Sequence, residues 1–323
     1  MRYSRFVVDE TPYCTWGWDL DERNQRFLKN IDPGYFEFIA RSQIPQLDTD
    51  DAKYAALVLR NSYHHSLETL FAFTCAALQA PDCVVGWVQK YQPKQLRSMV
   101  ERITYGSSPP LNKLRMEKVT WATLSEAIHG PLWGQNSDTV QAFARLWSRF
   151  AADFLNPMHE REYNNVKHGF RAGLGGFVLR VGLEHEYGVA PPEAEMQTIG
   201  ASEHGTSFFV AEKIAGSKVH FSLRQHSLNW RPEAMVQAVG LASMSLNNVL
   251  SFLKQLNGVP GSETHYQRPQ DPQGFNAPWT WSTGVHEMSF DTPVTEQDIK
   301  LLTKDDILAV YEDKPSATGN AST

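Results

Sequence analysis

The 323-residue chain is short of cysteine, of long apolar runs and of excess basic charge, and each shortage excludes something. Its three cysteines, Cys14, Cys75 and Cys83, form no CxxC pair and no His/Cys cluster at zinc-finger spacing. That argues against a disulfide scaffold and suits a reducing compartment. The opening MRYSRFVVDETPYCTW holds no apolar leader segment, and no stretch approaches the ~18 uncharged apolar residues of a membrane span. The expectation is a cytoplasmic chain with no membrane partner. Lys and Arg number 30 against 36 Asp and Glu, a net charge of −6. A basic nucleic-acid coat is therefore excluded, and any nucleic-acid site must be a local patch whose binding weakens steeply with salt. GxSxG, Walker A, HExxH and paired-carboxylate motifs are all absent.

What is present is an ordinary globular composition: 41% hydrophobic, 20% charged and 11% aromatic residues. Such a chain has the apolar content needed to offset the entropy of folding. At about 100 to 200 residues per domain it makes one large domain or two modest ones.

Hydrophobic period divides it. Residues 1–50 mix aromatics with turn residues and read as an extended arm carrying a short helix near 21–30. From Asp51 the apolar residues Leu67, Leu70, Phe71, Thr74, Ala77 and Leu78 recur at helical spacing, which predicts one helix over 52–80. Shorter helices are expected at 84–91, 93–104 and 118–129, separated by Ser107-Ser108-Pro109-Pro110 and by Gly130-Pro131. A second long helix starts near Ser137 and carries an aromatic stripe, Phe143, Trp147, Phe150 and Phe154. Asn156-Pro157 then starts a new segment expected to run to Arg171, where Gly173, Gly175 and Gly176 end it as a hinge.

Alternation replaces the helical period after that. Phe177 to Leu183, Ser207 to Ile214 and Val219 to Leu223 read as strands, with a turn at Ala215-Gly216-Ser217. A final helix follows Pro232 and ends at Asn257-Gly258. The expected organisation is an arm at 1–50, a helical bundle at 51–172, a β insertion at 173–231 and a bundle helix at 232–258. A Pro/Gly/Trp-rich extension at 259–311, helical near 295–311, and a disordered tail at 312–323 complete it. In the extension, Trp279 and Trp281 read as pins for a long loop.

Two polar stretches interrupt the helix faces. On the first long helix, at ~100° per residue, Arg60, His64, Glu68, Asn61 and His65 share an arc of about 140°. Leu57 and Val58 lie within it, so the arc borders core, where such groups need partners or a wet cleft. Either they form a satisfied hydrogen-bond network, with Glu68 orienting His64, or they form a site. The second stretch is HEREYNNVKHGFRAG, His159 to Gly173. Seven residues separate Arg161 from His168, which puts them within about 20° on one helix, with Asn164 between and Tyr163, Val166 and Phe170 opposite. A solvated, cationic helix end is the alternative there.

These residues carry a resemblance. Arg60-Asn61-Ser62-Tyr63-His64-His65 resembles the R-N-x-x-x-H form of the R-x4-6-H signature of HEPN domains, and Arg161 to His168 is an R-x6-H version. Tyr163-Asn164-Asn165-Val166-Lys167-His168-Gly169 is similar to the YNxxKHG ending of a long helix in such bundles. The resemblance covers about 50–172. It implies a mainly α fold, a HEPN-like helical bundle with the small antiparallel sheet inserted. It also implies metal-independent RNA cleavage or RNA binding in defence or stress response, with no metal and no cofactor, and RNA or a second copy of the chain as partner.

In that chemistry Arg161 and His168, or Arg60 with His64 or His65, supply a cation for the phosphorane and a base near neutral pKa for the 2′-OH. Asn164 belongs to the same set, and Asn61, Glu68, Lys167 and Tyr163 support it. The alternative is a catalytically inactive interaction or ligand-sensing module on the same polar cleft. A di-metal reading of the two H-x-x-E pairs, His65/Glu68 and His159/Glu162, fails because Arg60 and Arg161 would repel the cation.

Overall fold

The computed structural model describes residues 1–107, 111–290 and 292–312. The chain opens with a hairpin, β1 (Arg2–Val8) against β2 (Thr11–Gly17), turning at Asp9 with φ 53°. Eight helices follow: α1 (Leu20–Asn30), α2 (Gly34–Gln43), α3 (Ala52–Gln79), α4 (Val84–Lys90), α5 (Pro93–Tyr105), α6 (Trp121–Trp133), α7 (Asp138–Leu155) and α8 (Pro157–Lys167). Then come β3 (Ala172–Leu174), β4 (Val178–Val181), β5 (Gln197–Ala201), β6 (Gly205–Lys213) and β7 (Phe221–Asn229). The long α9 (Pro232–Leu256), the short strand β8 (Glu287–Ser289) and α10 (Lys304–Glu312) complete the order.

This corrects the expected fold class. Of the described residues 53% are helical and 16% are in strands, making ten α-helices and three antiparallel sheets. The chain is an α/β mix, not a mainly α bundle with one small insertion. Two of the sheets involve segments outside the expected insertion. The hairpin β1–β2 occupies the expected arm, and β8, from the C-terminal extension, joins the four-stranded sheet in the order β3-β6-β7-β8. Strands β4 and β5 pair separately. The physical reason is that short exposed strands keep only one face apolar. In β1 only Phe6 and Val8 are buried, too few to print an alternation.

Helix α3 forms the centre. From Leu70 to Gln79 every residue is buried, the pattern of a helix covered on all sides. It packs on α9, whose Val239, Leu246, Val249, Leu250 and Leu253 are also buried. Each such side chain contributes about 1.5–3 kcal/mol of transfer free energy. By length and composition α9 is the one helix among the described residues that reaches a membrane-spanning criterion, and 67% of its most apolar window is buried inside the protein. A second, smaller core of Ala56, Met158, Ala172, Phe208, Leu228 and Trp230 fastens the four-stranded sheet to α3 and α8.

Two helix ends lie four residues from their expected positions. α6 runs through Gly130-Pro131 to Trp133, because a proline in the last turn forfeits only one backbone bond while Trp133 stacks on Phe143 at 5.8 Å. α8 stops at Lys167, four residues early. There Gly169 (φ 99°) and Phe170 (φ 50°) reverse the chain, and Arg171 N–H donates to the Asn165 carbonyl at 2.7 Å. The glycine segment is paired to the start of β6 and the loop before it: Gly175 N–H donates to the Gly205 carbonyl (3.0 Å) and Gly176 N–H to that of Glu203 (3.1 Å). Within the extension, Pro272–Thr280 is a 3-10 segment, with Phe275 edge-on to Phe143 at 4.9 Å, and the helix expected near 295–311 is α10, which starts only at Lys304. Most of the expected break at Ser107-Ser108-Pro109-Pro110, and the tail after residue 312, lie outside the described residues.

Candidate functional site

The site grows from the start of α8. Asn156 caps that helix, its Oδ1 accepting from Met158 N–H at 2.8 Å, and Pro157 occupies the first position. This sets the helix so that Glu162, between Met158 and Val166 at four-residue spacing, points into protein and is 1% exposed. Its carboxylate collects five donor atoms from four residues. Arg60 reaches Oε2 with Nε (2.8 Å) and Nη2 (2.7 Å), and His64 Nε2 lies 3.3 Å from the same oxygen. On Oε1, Thr206 donates at 2.5 Å and the Trp230 indole at 3.1 Å. α3, α8, β6 and the end of β7 are thus tied through one acid.

Burial would raise the Glu162 carboxyl, but the Arg60 guanidinium and the hydrogen bonds from His64 and Thr206 outweigh it and hold the group well below the usual range. His64 is pushed the other way: burial first, then Arg60, lowers its pKa and keeps the ring neutral.

A second layer sits beside this one. Tyr63, its phenol pushed up by burial and by Asp153, stays protonated and donates to Asp153 Oδ2 at 2.5 Å. His159 Nδ1 lies 3.2 Å from the Asp153 carbonyl oxygen, an atom that can only accept, so Nδ1 carries the proton. Burial, then Arg60, lowers the His159 pKa to about 3.

Two cavities share Asp153 and His159 as lining. The larger, about 320 Å³, lies between α3, α7 and α9 on one side and the β7 end and Trp279/Trp281 segment on the other. Arg60, Tyr63 and Trp230 also line it. The smaller, about 130 Å³, is lined by His64, Glu68, Tyr163, Asn164, Lys167 and His168 among others.

The two polar stretches therefore meet, but not as the motif spacing suggested. Glu68 and His168 line the same smaller cavity, where Glu68 accepts from the Tyr91 hydroxyl at 3.2 Å. Asn61 and His65 line a third cavity with Tyr163 and Lys167, and His65 sits edge-on to Phe36 at 5.2 Å. Arg60 turns to Glu162 instead, so the R-x4-H pair is split. Arg161 and His168 are split too. Arg161 is exposed, 3.8 Å from the Met158 sulfur, and its charge acts on His226 of the sheet, whereas His168 lies beyond the last turn of α8. Lys167 Nζ lies 5.1 Å from the Tyr163 ring centroid.

Sequence reasoning left Glu162, Asp153, His159, Thr206 and Trp230 out of the site. Glu162 carried one local signal, an acid set between apolar residues four before and four after it. Among the described residues no group of three or more His, Cys, Asp or Glu is placed to hold a metal ion. No family model, no curated protein and no solved structure matches this chain. The HEPN resemblance rests on its motif residues alone.

Proposed function

We propose that this chain is a small-ligand-binding module that does not cleave RNA, with the larger cavity as its binding site. The carrying observation is the commitment of Arg60 to Glu162 in the wall of that cavity. A guanidinium that stabilises a phosphorane needs its paired donors free, and here Nε and Nη2 are both spent on one buried carboxylate. The smaller cavity is no better suited to a polyanion. Glu68, Asp153 and Glu160 line it against Arg97 and Lys167, and Arg97 is bound to the Phe154 and Leu155 carbonyls and to Glu160. A volume of about 320 Å³ lined by indoles and a few convergent polar groups supports a small organic ligand. The three unpaired cysteines support a reducing, cytoplasmic setting.

The second reading is metal-independent RNA cleavage in defence or stress response. It draws on His168, Lys167 and Asn164 sharing one cavity with His64. A small-molecule screen read by melting temperature and tryptophan fluorescence tests the first reading. Compounds that raise Tm in the wild type and lose that effect in Trp281→Ala support it. Metal-free cleavage of mixed RNA by the wild type overturns it.

A further inference from the structure

Four charged side chains line the larger cavity: Arg60, Arg231, Asp153 and Glu287. They are not equivalent. The charge of Arg60 is matched by Glu162 directly behind it. Arg231 is turned to the Ser282 carbonyl, 3.4 Å from Nε. Asp153 receives one hydrogen bond, from a neutral phenol, and forms no ion pair among the described residues. Arg231 and the exposed Glu287 likewise form no ion pair among the described residues, which leaves Asp153 as the half-buried carboxylate of the wall with no cation bound to it.

The neighbouring groups are acceptors as well. With the His159 proton fixed on Nδ1, Nε2 presents a lone pair, and no described residue donates to it. Amide donors that could greet an anion are spent. Both Asn229 side-chain atoms bond the Phe177 backbone at 2.8 Å, and Asn156 caps α8. The remaining wall is largely apolar and includes three indoles, Trp230 buried and Trp279 and Trp281 partly exposed. One of these indoles already carries a cation: the Arg149 guanidinium carbon lies 4.7 Å from the Trp279 ring centroid.

We propose that the larger cavity binds a small protonated organic amine with a flat apolar body. The ammonium sits on the Asp153 carboxylate and the His159 Nε2 acceptor, and the body lies against the Trp230 and Trp281 indoles. This rests on the ligand-binding reading above and adds the ligand's charge to it. An ammonium supplies donors to two acceptors and gains from the indole faces. A carboxylate or phosphate could reach Arg231 but would face Asp153, Glu287 and a lone pair beside it.

The test uses three isosteres that differ in head-group charge: phenethylamine, 2-phenylethanol and phenylacetate, each titrated calorimetrically into the full chain at pH 7. Phenethylamine is expected to bind at least about tenfold more tightly than the alcohol, with phenylacetate weakest. Asp153→Asn keeps an acceptor for Tyr63 and should weaken the amine about 10- to 100-fold at an unchanged Tm. Trp281→Ala, at a half-exposed position, should weaken it about 3- to 10-fold whatever Asp153→Asn does to folding. Tighter binding of phenylacetate overturns the amine assignment and leaves the ligand-binding reading standing. No binding of any isostere at about 10 mM overturns both.

Discussion

Arg60 of α3 and Glu162 of α8, 102 residues apart in sequence, form a buried ion pair with Nη2 2.7 Å from Oε2, and neither side chain is more than 5% exposed. The pair joins the central helix to the short helix that carries the second polar stretch. Desolvation makes such a pair a weak source of net stability, but breaking it leaves a buried charge alone. Glu162→Gln should therefore lower the free energy of unfolding by about 3–5 kcal/mol in urea titrations. Arg60→Met combined with Glu162→Gln should recover part of that loss, because no charge is then stranded. A single variant within about 1 kcal/mol of the wild type would show that water reaches Arg60 and that the pair is not the anchor.

Acid should unfold the chain from an unusually high pH. His159 and His129 are each held neutral, chiefly by burial, with pKa lowered from 6.5 to about 3. Below pH 6.5 the unfolded chain takes up protons that the folded chain refuses, so the histidine contribution is complete above 6.5 and declines as pH falls towards 3. Each contributes a slope of about 1.4 kcal/mol per pH unit at most. Glu162 acts in the same direction lower down. Its folded pKa lies below the ordinary 4.5, so its stabilisation is present above that value and lost beneath it. Urea unfolding at pH 4.5 to 7.5 should show stability rising with pH up to about 6.5, and His159→Gln should reduce the slope. A flat profile would mean that water already solvates the rings.

How much of this was legible depends on where the signal sits. The helices α3, α7 and α9 could be read because their apolar residues repeat at 3.6 and their ends carry Ser137, Asn156 and Pro232. The hairpin β1–β2 could not, since Tyr3 and Trp16 lie exposed and in contact at 5.0 Å, blurring the alternation. At the site, the local spacing of Arg60, His64 and His65 was correct, yet spacing cannot say which side of a helix meets which partner. Thr206 and Trp230 reach Glu162 from strand segments that no pattern near residue 162 announces. The motif arithmetic for Arg161 and His168 assumed one helix to Arg171, and it failed where Gly169 and Phe170 turned the chain.

That glycine segment offers a sharper check on the sheet. A Cβ on Gly176 would run into the Ser202 carbonyl oxygen and the Asn229 side chain, and one on Gly205 into the Leu228 carbonyl oxygen. Backbone atoms cannot yield as a flexible side chain can. Gly176→Ala and Gly205→Ala should each lower stability by about 2 kcal/mol or more, in the range of overpacked sites. Gly240→Ala, where a Cβ meets open space on a helix, should instead be neutral or raise Tm slightly. Equal melting temperatures for all three would show that the strands separate easily, and with them the β7 end of the larger cavity.

The last expectation separates the two functional readings at His168. Its side chain is exposed beyond the end of α8 and has no hydrogen-bond partner among the described residues, so His168→Ala should leave stability within about 0.5 kcal/mol of the wild type. Cleavage would need a cation on the same phosphate as that imidazole. Arg161 lies towards the sheet, Arg60 is spent on Glu162, and Lys167 is placed over Tyr163. A mixed RNA pool incubated with wild-type protein at low salt in EDTA is therefore expected to remain intact, and His168→Ala to behave identically. If the wild type cuts and the variant, equally stable, does not, His168 is a catalytic base and the ligand-binding reading falls. If both cut equally, the activity belongs to neither the motif nor the cavity, and that reading falls as well.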